Sequence, residues 1–152
     1  MLARFIATFG NAGHLKPAPG TWGTLAGLPF GWLILHQSGS FFLLMATAVL
    51  FFGGWFAAHH YMSATDKMDD PSEVVVDEVV GLWIALAAIP DLTWLWVALA
   101  FALFRLFDIW KPGPIRWADR TIKGALGTMV DDVLAGVAAA LCILVLNAAI
   151  GG

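Results

Sequence analysis

The chain has 152 residues, 60% of them apolar and 12% charged, with a formal net charge of −3 and a mean hydropathy of +0.80. A soluble domain carries about twice that share of charge, and so few polar groups cannot clothe a water-facing surface of this size. The composition excludes a disordered chain, a coiled coil and a nucleic-acid-binding arm, so no nucleic-acid partner is expected, and it points to one integral-membrane domain over residues 1–152.

Taken in chain order, the N-terminus carries Arg4 and a short apolar run at 5–9, too short for a signal-peptide core, and is read as mature sequence. Next comes Pro17-Ala18-Pro19-Gly20-Thr21-Trp22-Gly23-Thr24, a rigid loop running into the first hydrophobic helix. Free backbone N–H groups and the helix dipole make such a start an anion cradle, and Thr21 or Thr24 adds a hydroxyl. The same residues also suit an ordinary helix start with Pro-Gly as the turn.

Stretches without Lys, Arg, Asp or Glu at 25–35, 41–58, 79–90, 92–104 and 133–150 then predict five helices (the pattern allows four to six), at about 21–37, 41–62, 73–89, 92–109 and 129–149. A bilayer crossing needs about 20 residues. The second and fifth meet that length; the first, third and fourth are short, which suits a tilted or half-embedded bundle. Pro90-Asp91 is expected to form a turn on the outer side. The fold class is therefore all-α, a polytopic membrane helix bundle with its longer loops on one side. Gly23, Gly27 and Gly31, then Asp77, Gly81, Ala85 and Ala88, then Asp132, Gly136 and Ala140 recur at helical spacing. Such small-residue seams let helices approach where lipid supplies no hydrophobic drive.

The eight basic residues are Arg4, Lys16, Lys67, Arg105, Lys111, Arg116, Arg120 and Lys123. In a five-span arrangement the segments holding them share one side, and the loops near 36–40 and 90–91 hold none. The positive-inside rule puts the basic side in the cytoplasm. Ten of the eleven acidic residues fall on that side too, Asp91 being the exception. Asp77 and Glu78 begin the third helix, Asp108 ends the fourth, and Asp131 and Asp132 open the fifth, so all five carboxylates come to one depth near the inner boundary. Each also has a plainer role: Asp77, Asp131 and Asp132 as helix-start charges near the dipole, Asp108 as the i,i+3 partner of Arg105. Asp70-Pro71 is read as a capped helix start.

Five carboxylates at one level call for a compensating cation. Oxygen ligands from several helices suit Mg²⁺ or a similar hard ion. Zinc is disfavoured because the chain has a single cysteine, Cys142, and no spaced histidine pair; His59 and His60 are adjacent and read as interfacial. Since Mg²⁺ shares its shell with water and phosphate, an acidic cluster beside Arg105, Lys111 and Arg116 at a membrane face points to phosphate chemistry on a lipid. Trp22, Trp110 and Trp117 at the same level suit an interfacial belt.

Four motifs then stand in order: Pro19-Gly20-Thr21-Trp22-Gly23-Thr24; Asp70-Pro71-Ser72 with Val76-Asp77-Glu78-Val79-Val80-Gly81; Phe104-Arg105-Leu106-Phe107-Asp108-Ile109-Trp110-Lys111-Pro112; and Met129-Val130-Asp131-Asp132-Val133-Leu134-Ala135-Gly136. Together they resemble the phosphatidylglycerophosphatase A family over about residues 4–148. The resemblance implies a multi-pass enzyme of the bacterial inner (cytoplasmic) membrane with its active site facing the cytoplasm. It implies Mg²⁺-dependent hydrolysis of the phosphomonoester of phosphatidylglycerophosphate, yielding phosphatidylglycerol in phospholipid biosynthesis. Carried over by motif, Asp77, Glu78, Asp108, Asp131 and Asp132 are the catalytic and metal set, and Thr21, Thr24, Arg105 and Lys111 are expected to bind substrate phosphate. Other phosphatase designs lack their signatures here: Cys142 is followed six residues later by Ala148 rather than Arg, and no Asp-x-Asp element occurs. Two other functional classes stay open at this point, a small cation carrier with a carboxylate site and a non-catalytic lipid-binding subunit.

Overall fold

A computed structural model describes residues 1–66 and 71–150, and all regular structure among them is helical. A short helix α1 (Leu2–Ala7) and a 3₁₀ turn (Ala12–His14) lead into α2 (Pro19–Thr65). After α2 come α3 (Val76–Leu86), α4 (Trp94–Trp110), α5 (Pro114–Thr121) and α6 (Gly124–Ile150).

The 47-residue α2 is two helical arms broken at Gly39, whose φ of 82° and ψ of 176° are non-helical. Glycine reaches this region without the steric cost that a Cβ brings. The break falls inside His36-Gln37-Ser38-Gly39-Ser40, the polar stretch between the first two predicted helices. The arms run back antiparallel: Gly23 of the first faces Val75, and Gly54 of the second faces Val76.

Both arms, α4 and α6 enclose α3. Val79, Val80, Leu82, Ala85 and Leu86 have no exposed surface. The glycine seams make this close approach possible. A Cβ on Gly23 or Gly27 would run into Val75 or Val79, and one on Gly31 would meet Trp83. Trp83 donates its indole N–H to the Gly27 carbonyl at 2.9 Å, which locks the first arm onto α3. On the other side of α3, a Cβ on Gly136 would strike the Gly81 carbonyl, and one on Gly81 would strike Phe104 and the Asp132 carbonyl. Expected seams therefore become real contacts, with the α3–α6 crossing held at backbone distance.

The helices differ from expectation in several places. Among the described residues, only α2 and α6 are long and apolar enough to cross a membrane. The third helix, expected at 73–89, is the 11-residue α3. At about 1.5 Å per residue it covers about 16 Å, half of a hydrocarbon core of about 30 Å. It is an enclosed core helix, so it has no need to match the bilayer. The fourth runs Trp94–Trp110, close to the expected 92–109. The fifth begins at Gly124 rather than near 129, because the glycine-rich approach is itself helical. The segment between Lys111 and Lys123, read as loop, contains the amphipathic α5. Asp70 lies outside the described residues; Pro71 accepts a turn bond from Val74 N at 2.9 Å and the helix starts only at Val76, so Pro71 is not a first-turn residue.

The outward faces are apolar. Val49 (74% exposed) and Phe52 (63%) on the second arm and Val145 (67%) on α6 present bulky hydrocarbon to the surroundings. A surface of this kind over two spanning-length helices is one that faces lipid.

Candidate active site

The polar groups gather where α3 and α6 begin and α4 ends. Asp77 and Glu78 occupy the first turn of α3. Asp77 is 4% exposed and its Oδ1 accepts the Glu78 backbone N–H at 2.9 Å. Glu78 lies against the start of α2, at a point where Gly20 leaves room: a Cβ there would overlap the Glu78 carboxylate. Thr24, one turn on, donates to the Gly20 carbonyl at 2.8 Å and stands 3.4 Å from Glu78 Oε2.

From α4, Arg105 Nη1 bridges two acids, Glu78 Oε1 at 3.0 Å and Asp108 Oδ2 at 2.6 Å. The i,i+3 pair with Asp108 therefore forms, and the same guanidinium also ties α4 to α3. Lys111 follows the last turn of α4 in the left-handed region (φ 47°), which turns its side chain back toward α5 and α6. Its Nζ donates to Asp119 Oδ1 of α5 at 2.6 Å and to Asp131 Oδ2 of α6. Burial alone would push the ammonium's pKa down. The two carboxylate hydrogen bonds outweigh that and hold it above the ordinary lysine value, so the Lys111 ammonium stays charged throughout the physiological range.

Asp131 and Asp132 are each 4% exposed. They sit in the second turn or beyond of α6, since the helix begins at Gly124. The helix-dipole role, which fades within the first turn, therefore does not account for them. Asp132 is the electrostatic centre of the group: Asp108, Asp77, Asp131 and Glu78 all act on it.

These side chains line one cavity of about 320 Å³. Asp77, Glu78, Asp108, Asp131 and Asp132 are all on its wall, as are Thr21, Arg105 and Lys111. Of the residues expected from sequence, Thr24 alone is behind the wall, supporting Glu78 and lying 3.5 Å from Arg105. Sequence reasoning missed Asp119, and with it Ser72 and Thr128 on the cavity wall. Apolar Ile115 and Ala118, three apart between polar neighbours, are the signal that would have revealed α5 and placed Asp119. His59 and His60 are exposed on α2, with His60 against Phe56 at 4.3 Å between rings. Trp22, Trp110 and Trp117 are exposed by 43%, 59% and 62%.

The family model of phosphatidylglycerophosphatase A matches residues 5–147. The chain belongs to the phosphatidylglycerophosphatase A family. A phosphatidylglycerophosphatase A of Haemophilus influenzae is 44% identical over 137 residues, covering 90% of this chain and 83% of the relative. That of Escherichia coli is 39% identical over 136 residues, covering 89% and 78%. A Bacteroides thetaiotaomicron protein, named provisionally as a phosphatidylinositol-3-phosphatase, is 44% identical over 154 residues, covering 96% and 94%. No solved structure matches.

The donor set bears on the metal the family resemblance implies. Among the described residues, no three Asp, Glu, His or Cys side chains stand close enough to hold an ion unaided. The acids are spread around the wall, several of them tied to Arg105 or Lys111. A hard ion such as Mg²⁺ takes one or two carboxylates and completes its shell with water and phosphate oxygens, so the set fits it. The charge balance agrees. Five carboxylates against two cations leave a formal excess of negative charge that repels a phosphate; a divalent cation would lower that excess and give the phosphate oxygens a local positive partner.

Proposed function

We propose that this chain hydrolyses the phosphomonoester of phosphatidylglycerophosphate, a phospholipid, to phosphatidylglycerol and phosphate, as a Mg²⁺-dependent step of phospholipid biosynthesis. The observation that carries the reading is the convergence of five acids from three helices, with Arg105 and Lys111, on one cavity. The named activity of the two phosphatidylglycerophosphatase A relatives supplies the substrate.

In this reading Asp77 and Asp132, buried on facing helices, hold the metal, with Asp108, Asp131 and Glu78 completing the acidic wall. When bound, the ion supplies charge neutralisation at the phosphate and a Lewis acid beside the attacking oxygen. Arg105 and Lys111 bind the equatorial phosphate oxygens as negative charge builds on them. Thr21 donates its hydroxyl to the same group, and Thr24 keeps Glu78 in place. A carboxylate of the cluster accepts the proton of the attacking water. The bond from phosphorus to the glycerol oxygen breaks, and that proton returns to the glycerol oxygen. The head group enters from the interface while the acyl chains stay in lipid, along the apolar outer faces.

We place the chain in the bacterial inner (cytoplasmic) membrane as a multi-pass protein, with the site facing the cytoplasm. The partition of Lys and Arg supports this: the site end carries Arg4, Lys16, Lys111, Arg116, Arg120 and Lys123, and the polar turns near Gly39 and Pro90 carry none. A cation-carrier role is disfavoured by the helices themselves. Beyond Glu78 in α3 and beyond Asp132 in α6 no charged residue continues the path.

The test is phosphate release from phosphatidylglycerophosphate by the full chain in detergent, with Mg²⁺ and with excess chelator. Release that depends on Mg²⁺ and is lost in Asp132→Asn supports the reading; release unaffected by chelator removes the metal from it. Because one relative carries a different substrate name, phosphatidylinositol 3-phosphate belongs in the same assay. Preference for that lipid would change the substrate and leave the chemistry.

A further inference from the structure

A second cleft, of about 570 Å³, lies at the end of α4 and along α5, and is lined by Trp110, Pro112, Gly113, Arg116, Trp117 and Arg120 among others. Among the described residues it shares no lining residue with the candidate active site. Its shape follows from the chain. Gly113, at φ 46°, turns the backbone between the two helices, and α5 then lays Ile115 and Ala118 onto the protein and turns Arg116, Trp117 and Arg120 outward.

Three features define what the cleft would bind. First, Arg116 and Arg120 stand one helical turn apart, and among the described residues neither meets a carboxylate within ion-pair distance. Arg116 spends one long hydrogen bond, 3.4 Å, on the Trp110 carbonyl, which leaves most of its five N–H donors directed outward. Among the described residues no acid lines the cleft. Second, the walls are Trp110 and Trp117, each more than half exposed; indole rings in that state favour the level of lipid head groups. Third, the outward face of α4 continues from Trp110 into Ile109 (73% exposed) and Leu106 (52%), an apolar track leading away from the arginines.

We propose that this cleft is a second lipid site, which holds the head group of an anionic phospholipid distinct from the substrate. The arginines take the phosphodiester and its extra negative charge, the tryptophans border the glycerol, and an acyl chain follows Ile109 and Leu106. With two arginines and, among the described residues, no carboxylate in the lining, a head group of net negative charge gains more than one of no net charge. The apolar track disfavours a free phosphate.

The experiment uses the purified full chain and phosphatidylserine, an anionic lipid that is neither the substrate nor the product proposed above. Native mass spectrometry reads retention of phosphatidylserine against phosphatidylcholine. The intact chain should retain phosphatidylserine selectively. Replacing Arg116 or Arg120 by Gln should cut retention about fivefold each and Arg116→Gln/Arg120→Gln about 25-fold, with Arg116→Lys/Arg120→Lys keeping most of it. Asp77→Asn should leave retention unchanged, which separates this cleft from the active site. Unaltered retention in the double Gln variant overturns the proposal. So does a double variant that keeps its thermal transition but releases phosphate more slowly in zwitterionic detergent, for the cleft would then be part of the substrate site. A measurement on the unmutated chain guards against misfolding: a photoreactive phosphatidylserine in phosphatidylcholine nanodiscs should label 106–121, and labelling confined to other segments counts against the cleft.

Discussion

The enclosed helix α3 and the second arm of α2 teach different things from similar sequence. Beyond Glu78, α3 reads Val79-Val80-Gly81-Leu82-Trp83-Ile84-Ala85-Leu86; the arm reads Phe41-Phe42-Leu43-Leu44-Met45 onward. Both are apolar and free of charge, so residue by residue hydropathy treats them alike and only length separates them. Yet Leu82 and Leu86 have no exposed surface, while Phe41 and Phe52 are exposed by 66% and 63%. One is core, the other faces lipid. The difference is that α3 offers a small residue, Gly81, to the backbone of α6 and receives the glycines of α2, so protein surrounds it. Enclosure frees it from bilayer length and lets its first turn carry two acids into a protein-lined cavity rather than into lipid.

The largest expected effect tests the functional half of that contrast. Asp77→Asn, at the start of α3, keeps an oxygen to accept the Glu78 N–H but loses the charge. Phosphate release should fall about 10³-fold with the thermal transition in detergent nearly unchanged. Retained activity would mean that Asp77 takes no part in the chemistry and that α3 contributes Glu78 alone to the site.

Gly81→Leu should be the most damaging change to stability, by about 3 kcal/mol or more. Its side chain would have to displace Phe104 and the Asp132 backbone, so unfolding in detergent should shift and activity should drop with it. Lys111→Met should lower phosphate release about 10²-fold. Asp119→Asn, on α5, removes one of the two hydrogen bonds that aim Lys111. It should raise KM about fivefold, the order of one such bond, with kcat little changed. At the small end, Phe52→Ala on the lipid-facing arm should alter stability by less than about 0.5 kcal/mol, where Leu82→Ala on α3 should cost about 2–5 kcal/mol. Equal costs for those two would erase the distinction between core and lipid face.

Much of the candidate site was legible in the primary structure. Asp77, Glu78, Asp108, Asp131 and Asp132 were identifiable because charge inside an apolar run is expensive and needs a partner. Their common depth followed from alternating helix direction. Arg105 and Lys111 stood out as the cations nearest to them. Asp119 did not, because its helix is eight residues long and its importance rests on a single contact to Lys111, 8 positions away, across the turn at Gly113. The early start of α6 was also hidden. Lys123-Gly124-Ala125-Leu126-Gly127 reads as a flexible approach, and only packing shows why glycine suits a helix there: a Cβ on Gly127 would collide with the Ile122 carbonyl.

Composition, charge placement and the order of four motifs were enough to determine an all-helical membrane chain, the acids that converge on one cavity and the family. Those properties are local, each set by the cost of putting a given side chain in water or hydrocarbon. Which apolar helix faces lipid, which is wrapped by its neighbours, and how Arg105 and Lys111 divide the acids between them were decided only in three dimensions. They depend on which glycine meets which neighbour, and on contacts such as Arg105 to Glu78 and Gly136 to Gly81 that join different helices and leave no trace in any short window of sequence.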